Sequence, residues 1–200
     1  KNYIRMFNDT LKLLNEKSLR YENTYMYIPE PDYSYINDLA YLKINKFIYD
    51  IVDKQLILIS NGDVHSNQAY NFNFTPIIKS LAEANENSIF IATSTFDRGS
   101  LNNIYFTESL FLEIEYGSDL PEISYLSSYM DIIIGRSSGP FTFTQTKFNY
   151  KDENKKIVSF TYEKDCAHMI DNTVSKAKLY WSNLTNTSDI TKFLGGILNE

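Results

Sequence analysis

Short, solid blocks of apolar residues alternate along the chain with longer segments in which apolar residues recur every three or four positions. Solid blocks are typical of strands buried on both faces, and the second pattern is typical of helices packed against a sheet. The blocks predict strands over residues 55–60, 88–93, 103–107, 131–135, 156–162 and 177–181. The recurring pattern predicts helices over residues 33–53, 120–130, 139–147 and 188–198, and one that starts at residues 75–76 with its apolar face within residues 77–82.

The alternation of strands and helices predicts a fold class. It indicates a doubly wound, mostly parallel, Rossmann-like α/β sheet over residues 54–200. A helical N-terminal segment is predicted over residues 1–53, and its first part has one apolar face made of Ile4, Phe7, Leu11 and Leu14. Helix caps are predicted at Thr75, which precedes Pro76, and at Ser188 or Asp189.

Composition and charge narrow the class of protein. The chain has 200 residues, 43% of them hydrophobic, which is enough to bury a core. Its net charge is −6 and it has no Lys/Arg cluster, so we expect no nucleic-acid partner. The single cysteine, Cys166, excludes an internal disulfide and predicts a reducing, cytoplasmic location. No apolar run reaches the roughly 18–20 residues of a membrane span, and no signal peptide is visible.

Several motifs of enzyme chemistry are missing from the sequence. It contains no P-loop and no Gly-x-Gly-x-x-Gly, so neither kinase-like use of ATP nor a nicotinamide cofactor is predicted. It contains no Gly-x-Ser-x-Gly, so a Ser-His-Asp triad is not supported. No spacing of His, Asp and Glu predicts a metal site, and we expect no bound cofactor.

The loop after the predicted strand 55–60 is the first candidate site. It runs through Asn61, Gly62, Asp63 and His65, and it joins an amide, a carboxylate and an imidazole beyond a buried strand. In a doubly wound sheet, ligands bind beyond the carboxyl ends of the strands. The alternative is a long turn rich in turn-forming residues. The aromatic residues that follow are predicted to be core or to line a base or sugar pocket: Tyr70, Phe72 and Phe74.

The loop after the predicted strand 131–135 is the second candidate site. Gly139 predicts a tight turn or a close backbone approach, and Pro140 suits the start of a helix. The N–H groups of such a helix start bind anions, and serine hydroxyls and an arginine add donors. The predicted anion-binding residues are Arg136, Ser137, Ser138, Gly139, Pro140, Phe141 and Thr142. The alternative is a plain strand-to-helix turn with a good cap.

The segment 119–146 resembles the carboxyl-terminal domain of GT-B glycosyltransferases, above all the heptosyltransferase-like group. The shared signature is a Leu-x-Glu helix start, an acidic residue, an apolar strand, a glycine and then Ser-Gly-Pro. It is matched here by Leu120, Glu122, Leu126, Asp131, Ile132–Ile134, Gly135, Ser138, Gly139 and Pro140. Where the family has Asp before Ser-Gly-Pro, this chain has Ser137, and the family's following His is Thr142.

The resemblance implies a function. It implies a metal-independent glycosyltransferase in which the Ser-Gly-Pro loop receives the diphosphate of a nucleotide-sugar donor. The loop with Asn61 and Gly62 would open the donor cleft, and Asp63 or His65 would contact the sugar or phosphate or act as the base. The acceptor is implied to be a carbohydrate or glycan hydroxyl, bound by a second GT-B domain.

Three interpretations of the whole protein remain open. A chain of 200 residues that begins with Lys1 has room for one such domain, so we expect a fragment whose partner domain lies elsewhere, or a minimal version. The chain is then a glycosyltransferase or its donor-binding half. The alternatives are a non-catalytic GT-B-like binding or scaffolding module of a larger protein, and a sugar-nucleotide epimerase or hydrolase.

Overall fold

A parallel sheet of six strands forms the centre of the protein. The computed structural model describes residues 33–65, 68–110, 119–164, 167 and 175–200. The strand order is β3-β2-β1-β4-β5-β6, and every neighbouring pair is parallel. This confirms the predicted Rossmann-like fold class. The strands are β1 (Gln55–Ser60), β2 (Ser88–Ala92), β3 (Ile104–Phe106), β4 (Ile132–Arg136), β5 (Lys156–Phe160) and β6 (Lys178–Ser182).

Helices cover both faces of the sheet. They are α1 (Asp38–Asp50), α2 (Phe74–Ala84), α3 (Thr107–Leu110), α4 (Leu120–Ser127), α5 (Gly139–Phe143), α6 (Lys147–Lys151) and α7 (Thr187–Leu198), and a 3-10 turn spans Tyr33–Tyr35. The predicted helical face within residues 1–20, Cys166 and His168 lie outside the described residues. Within the described ranges, no helix has both the length and the apolar character needed to cross a membrane.

The core consists of two apolar clusters, one on each face of the sheet. On what we call the first face, α2 and α7 pack on the side chains of Ile57, Ile59 and Ile134. On the second face, α1, α4 and α5 pack on those of Leu58 and Ile133. Alternate residues of each strand therefore enter opposite clusters, which explains why the strands are continuous apolar blocks.

The strand order reverses between β1 and β4. The chain runs outward from β1 through β2 to β3, and then returns to place β4 on the other side of β1. Ser60 and Gly135 are register partners at the carboxyl ends of these two strands. The loops that follow β1 and β4 therefore leave the sheet side by side, at the position where doubly wound folds bind ligands.

Several predicted helix boundaries are wrong by a few residues. The side chain of Asn37 caps α1, which begins at Asp38 rather than Tyr33. Asn73, not Thr75, caps α2, and Asn186, not Ser188 or Asp189, caps α7. In each case an asparagine carboxamide oxygen accepts backbone N–H groups that would otherwise be unpaired at the helix start. Leu39, in the first turn of α1, is 37% exposed.

Candidate functional site

The side chain of Arg136 lies beneath the loop that follows β1. Arg136 is the last residue of β4, one residue beyond the predicted strand end, and it is only 1% exposed. Its Nε donates to the carbonyl of Tyr70 at 3.0 Å. Its Nη1 donates to the carbonyls of Asn61 at 3.0 Å and Gly62 at 2.7 Å, and its Nη2 donates to that of Phe72. One guanidinium thus connects both ends of the loop to the end of β4.

The charge of Arg136 has one ionic partner among the described residues. Its Nη1 lies 3.6 Å from Oδ1 of Asp63, whose side chain is 65% exposed. The Cζ atom also lies 4.7 Å from the ring centroids of both Phe72 and Phe74, a cation–π geometry. Burial lowers the pKa of Arg136 and Asp63 opposes that change, but an arginine remains charged.

Residues 61–73, which we call the anchored loop, are held by further contacts. The side chain of Asn71 both donates to and accepts from the backbone of Val64, at 3.0 and 2.8 Å. The N–H of Tyr162 donates to the carbonyl of Gln68 at 3.1 Å, and the rings of Tyr70 and Tyr162 meet edge to face with centroids 4.1 Å apart. The described part of this loop therefore spans from β1 across β4 to the end of β5.

Asn61 connects the anchored loop to the segment after β2. Its side-chain Oδ1 accepts from the N–H of Ser94 at 2.7 Å and from Oγ1 of Thr93 at 3.3 Å. Its Nδ2 donates to the carbonyl of Ser94 at 2.9 Å. The side chain of Asn61, predicted to contact a ligand, is thus engaged with its own chain.

The two predicted catalytic residues lie on the anchored loop. Asp63 is exposed and pairs with Arg136, as described above. His65 is also exposed. The structure brings these side chains to the carboxyl edge of the sheet, and their predicted roles stay predictions.

The second predicted loop approaches the same edge from the other face. Ser137 is fully buried, and its N–H donates to the carbonyl of Phe160 at 3.3 Å. Ser138 is the N-cap residue of α5, but its side chain accepts no capping hydrogen bond. Both the N–H and the Oγ1 of Thr142 donate to the Ser138 carbonyl at 2.8 Å. The Ser138 hydroxyl is therefore not used to cap the helix.

Gly139 and Pro140 form the first turn of α5. Gly139 does not adopt a positive φ, and a Cβ at this position would meet no protein atom within 4 Å. The space beside its backbone is open, so the glycine is not required by the packing of the chain itself. Pro140 lies at the second helical position and contributes no N–H. The N–H groups of this turn are those of Gly139 and Phe141.

Phe141 packs directly on Gly135. The Phe141 side chain is fully buried. A Cβ at Gly135 would lie 2.6 Å from Cδ2 of Phe141 and 2.9 Å from Cβ of Ser60, far inside van der Waals contact. Only glycine therefore allows α5 to approach the sheet this closely.

A buried polar network ends α5 after five residues and corrects the predicted helix over 139–147. The side chain of Asn149 donates to the carbonyl of Thr144 and to the hydroxyl of Ser127, both at 2.8 Å. Thr146 caps a separate helix, α6, by accepting from the N–H of Asn149. Gln145 donates to the carbonyl of Phe141 at 3.2 Å. Residues 144–146 therefore form the connection between α5 and α6 rather than a continuation of α5.

Lys155 completes this network as a buried cation. It is 3% exposed, and its Nζ donates to the carbonyls of Ser127 at 3.0 Å and Ser128 at 2.6 Å and to Oδ1 of Asn149 at 2.9 Å. It therefore satisfies carbonyls at the C-terminus of α4, where a positive charge is favourable. Burial lowers the pKa of Lys155 to about 8, although nearby Asp152 and Asp131 act to raise it.

The aromatic residues predicted to be core or to line a pocket differ in their surroundings. Phe72 and Phe74 lie against Arg136 and the first-face core, so their rings contact the rest of the chain, whereas Tyr70 is 45% exposed and packs on Tyr162. The described ranges contain no group of three His, Cys, Asp or Glu side chains placed to hold a metal ion.

Comparisons with known proteins give only a distant likeness among solved structures. No family model matches the sequence, and no curated protein matches it. Among solved structures, the chain is similar to the crystal structure of a glycosyl transferase family 9 protein from Veillonella parvula DSM 2008, with a TM-score of 0.45 and 10% identity. The alignment covers 80% of this chain and 44% of that one, so this chain spans less than half of that protein. A likeness this distant says nothing about substrate or residue roles.

We predict that Arg136→Met lowers the free energy of unfolding by about 3–5 kcal/mol, because four loop carbonyls lose their donor. The matched control is Arg98→Met, which should cost about 1 kcal/mol, since Arg98 donates to one carbonyl within the described ranges, that of Ile104. Urea unfolding followed by circular dichroism measures both. Equal losses would show that Arg136 does not anchor the loop.

We predict that Gly135→Ala lowers the free energy of unfolding by about 1–3 kcal/mol, because the added methyl group overlaps Phe141 and Ser60. Gly139→Ala is the control, because its methyl group enters open space, and we expect a change within about 0.5 kcal/mol. Thermal unfolding of the two variants side by side is the measurement. A tolerated alanine at position 135 would contradict the close packing of α5.

We predict that the contribution of Lys155 to the free energy of unfolding depends on pH. Its pKa is lowered from 10.5 to about 8, so between these values the unfolded chain binds a proton that the folded chain has released. Stability should therefore rise with pH in this window, by at most about 1.4 kcal/mol per unit. The difference in unfolding free energy between the natural chain and Lys155→Met, measured in urea from about pH 7.5 to about pH 9.5, should grow in favour of the natural chain. A constant difference would contradict the lowered pKa.

Proposed function

We propose that this chain binds a nucleoside-diphosphate sugar at the carboxyl edge of its sheet, as the donor-binding domain of a metal-independent glycosyltransferase. One observation carries the proposal. The segment that resembles the diphosphate-binding loop of GT-B enzymes follows β4, next to β1, where the strand order reverses. Doubly wound folds bind their ligands at that position.

The first turn of α5 is the proposed diphosphate contact. The N–H groups of Gly139 and Phe141 and the hydroxyl of Ser138 would donate to the phosphate oxygens. The open space beside Gly139 supports this role, because a ligand can approach the backbone there. With five residues, α5 has a small dipole, so the hydrogen bonds rather than the dipole would provide most of the binding.

The proposed reaction exchanges one bond for another. The bond between the anomeric carbon and the diphosphate oxygen breaks, and the acceptor hydroxyl oxygen forms a bond to the same carbon. Its proton passes to a base, for which Asp63 and His65 are the candidates on the anchored loop. Negative charge grows on the leaving diphosphate, and fixed donors at α5 would stabilise it.

A second candidate function is a binding module without catalysis. The observation that favours it is the engagement of Arg136, whose donors are directed to carbonyls of its own loop rather than to the open edge. In that case the residues that depart from the family signature, Ser137 and Thr142, would mark a site that no longer binds diphosphate.

We predict that the chain is stabilised by one class among the GDP, UDP, ADP and CMP forms of nucleotides and sugar nucleotides. A ligand that binds only the folded state raises the melting temperature, by about 5–10 °C at one hundred times its Kd. Gly139→Val should abolish this rise, because its side chain would fill the space in which the diphosphate lies. The measurement is a thermal shift with the panel.

The control is Gly196→Val, because Gly196 is also helical and a Cβ there meets no protein atom within 4 Å. Its thermal shift should match that of the natural chain. If no nucleotide stabilises the natural chain, the proposed donor site is wrong and the non-catalytic module is favoured. Product analysis then distinguishes the reactions: a transferred glycosyl group supports the transferase, and free sugar or an epimer does not.

A further inference from the structure

Helix α1 has apolar side chains on two of its faces. Its inner face, which includes Ala40 and Ile44, is buried against the second-face core. Its outer face carries Leu39, Leu42 and Tyr49, which we call the α1 stripe and which are 37%, 63% and 80% exposed. A surface helix usually buries one apolar stripe and turns polar residues to water. The packing of the described residues therefore explains the inner face of α1 but not the outer one.

The α1 stripe lies in the main exposed apolar surface of the described residues. Eight large apolar side chains of this part of the chain are exposed, and five of them lie within residues 39–52. Single exposed apolar residues are common, but a group of them usually marks a surface that another element or protein covers. We therefore expect a further element to pack on the outer face of α1.

The spacing of the α1 stripe indicates what kind of element covers it. With Lys46, its residues are separated by three, four and three positions. This is the spacing with which one helix packs lengthwise on another, and one polar residue in such a row is tolerated and helps to fix the register. The α1 stripe is therefore suited to the apolar face of a second helix.

The beginning of the chain contains an apolar row with the same spacing. Ile4, Phe7, Leu11 and Leu14, which we call the N-terminal stripe, are also separated by three, four and three positions. In a helix, each of the two stripes would extend over about 15 Å. The surrounding charges are complementary, because residues 1–20 contain five basic and two acidic side chains, whereas residues 38–53 contain two basic and three acidic ones.

The connection between the two stripes is long enough to bring them together. Between Leu14 and Leu39 lie 24 residues, and an extended chain spans roughly 3.3 Å per residue. The connection reaches α1 at its first turn, where the ring of Tyr33 packs edge to face on that of Tyr125 with centroids 5.0 Å apart. Because the chain arrives at that end, an antiparallel pair, with Leu14 beside Leu39, needs the shortest connection.

We propose that the N-terminal stripe packs antiparallel on the α1 stripe and forms an additional helical layer outside α1 on the second face. The beginning of the chain is then part of the same folding unit as the sheet, rather than a linker to another domain. This inference goes beyond the proposed function and does not depend on it.

The first test is a double-mutant cycle on the full chain with Leu11→Asp, Leu42→Asp and the two together. Each single substitution should lower the melting temperature by about 5 °C, because it places a carboxylate in an apolar contact. The double variant should lose little more than either single one, because the contact can be broken only once. Additive losses, or a Leu42→Asp variant as stable as the natural chain, would overturn the inference.

The control for this cycle is Phe148→Asp. Phe148 is also an exposed apolar residue, at 55%, but it lies on α6 outside the α1 stripe. Its substitution should change the melting temperature by less than about 2 °C. A loss as large as that of Leu42→Asp would show that the effect is not specific to the α1 stripe, and the inference would fail.

The second test is disulfide formation in a Cys166→Ser background, so that each introduced pair is the only pair of cysteines. On mild oxidation, Leu14→Cys with Leu39→Cys should form a disulfide within one chain, and Leu14→Cys with Tyr49→Cys, at the other end of α1, should not. Non-reducing gels and mass spectrometry measure both. A disulfide in the second pair alone would contradict the antiparallel arrangement. Disulfides between chains would assign the α1 stripe to a second copy, and no disulfide in either pair would show that the N-terminal stripe does not pack there.

Discussion

The carboxyl edge of the sheet depends on one buried cation, the guanidinium of Arg136. The loop after β1 turns four carbonyls toward the buried side chain of Arg136, and a carbonyl that lacks a partner away from water is costly. A guanidinium presents five N–H donors in one plane, so a single side chain can satisfy carbonyls from both ends of the loop. Lysine, with one ammonium group, could not reproduce that fork. Without Arg136, four carbonyls of this loop would lose their donor.

Two consecutive residues of β4 organise the two faces of the candidate site. Arg136 points to the first face and fixes the anchored loop. Gly135 points to the second face and allows Phe141 to bring α5 close to the strand. Since neighbouring residues of a strand point to opposite faces, this pair determines the position of both loops at once. The buried network around Lys155 and Asn149 then supports α5 from below.

The sequence predicted the sheet well and the loop contacts poorly, for a physical reason. Parallel strands buried on both faces must be apolar throughout, so β1, at residues 55–60, has its predicted bounds and the others differ by at most two residues at either end. The sequence could not predict that Arg136 holds the anchored loop, because its partners are backbone carbonyls, and every residue type carries the same carbonyl. The break between α5 and α6 was not predicted, because threonine and glutamine occur both in helices and in turns. Thr144 and Gln145 therefore gave no signal that the helix ends.

The buried position of Arg136 is compatible with the proposed anion site, although its donors face its own loop. Carbonyl oxygens satisfy the guanidinium's hydrogen bonds, but they are dipoles and do not cancel its charge. The one carboxylate beside it in the described structure, on Asp63, is largely in water, where its field is screened. Asp63 therefore offsets the charge of Arg136 only in part. The charge of Arg136 would attract an anion bound at the first turn of α5 through its long-range electrostatic field, without a direct hydrogen bond to it.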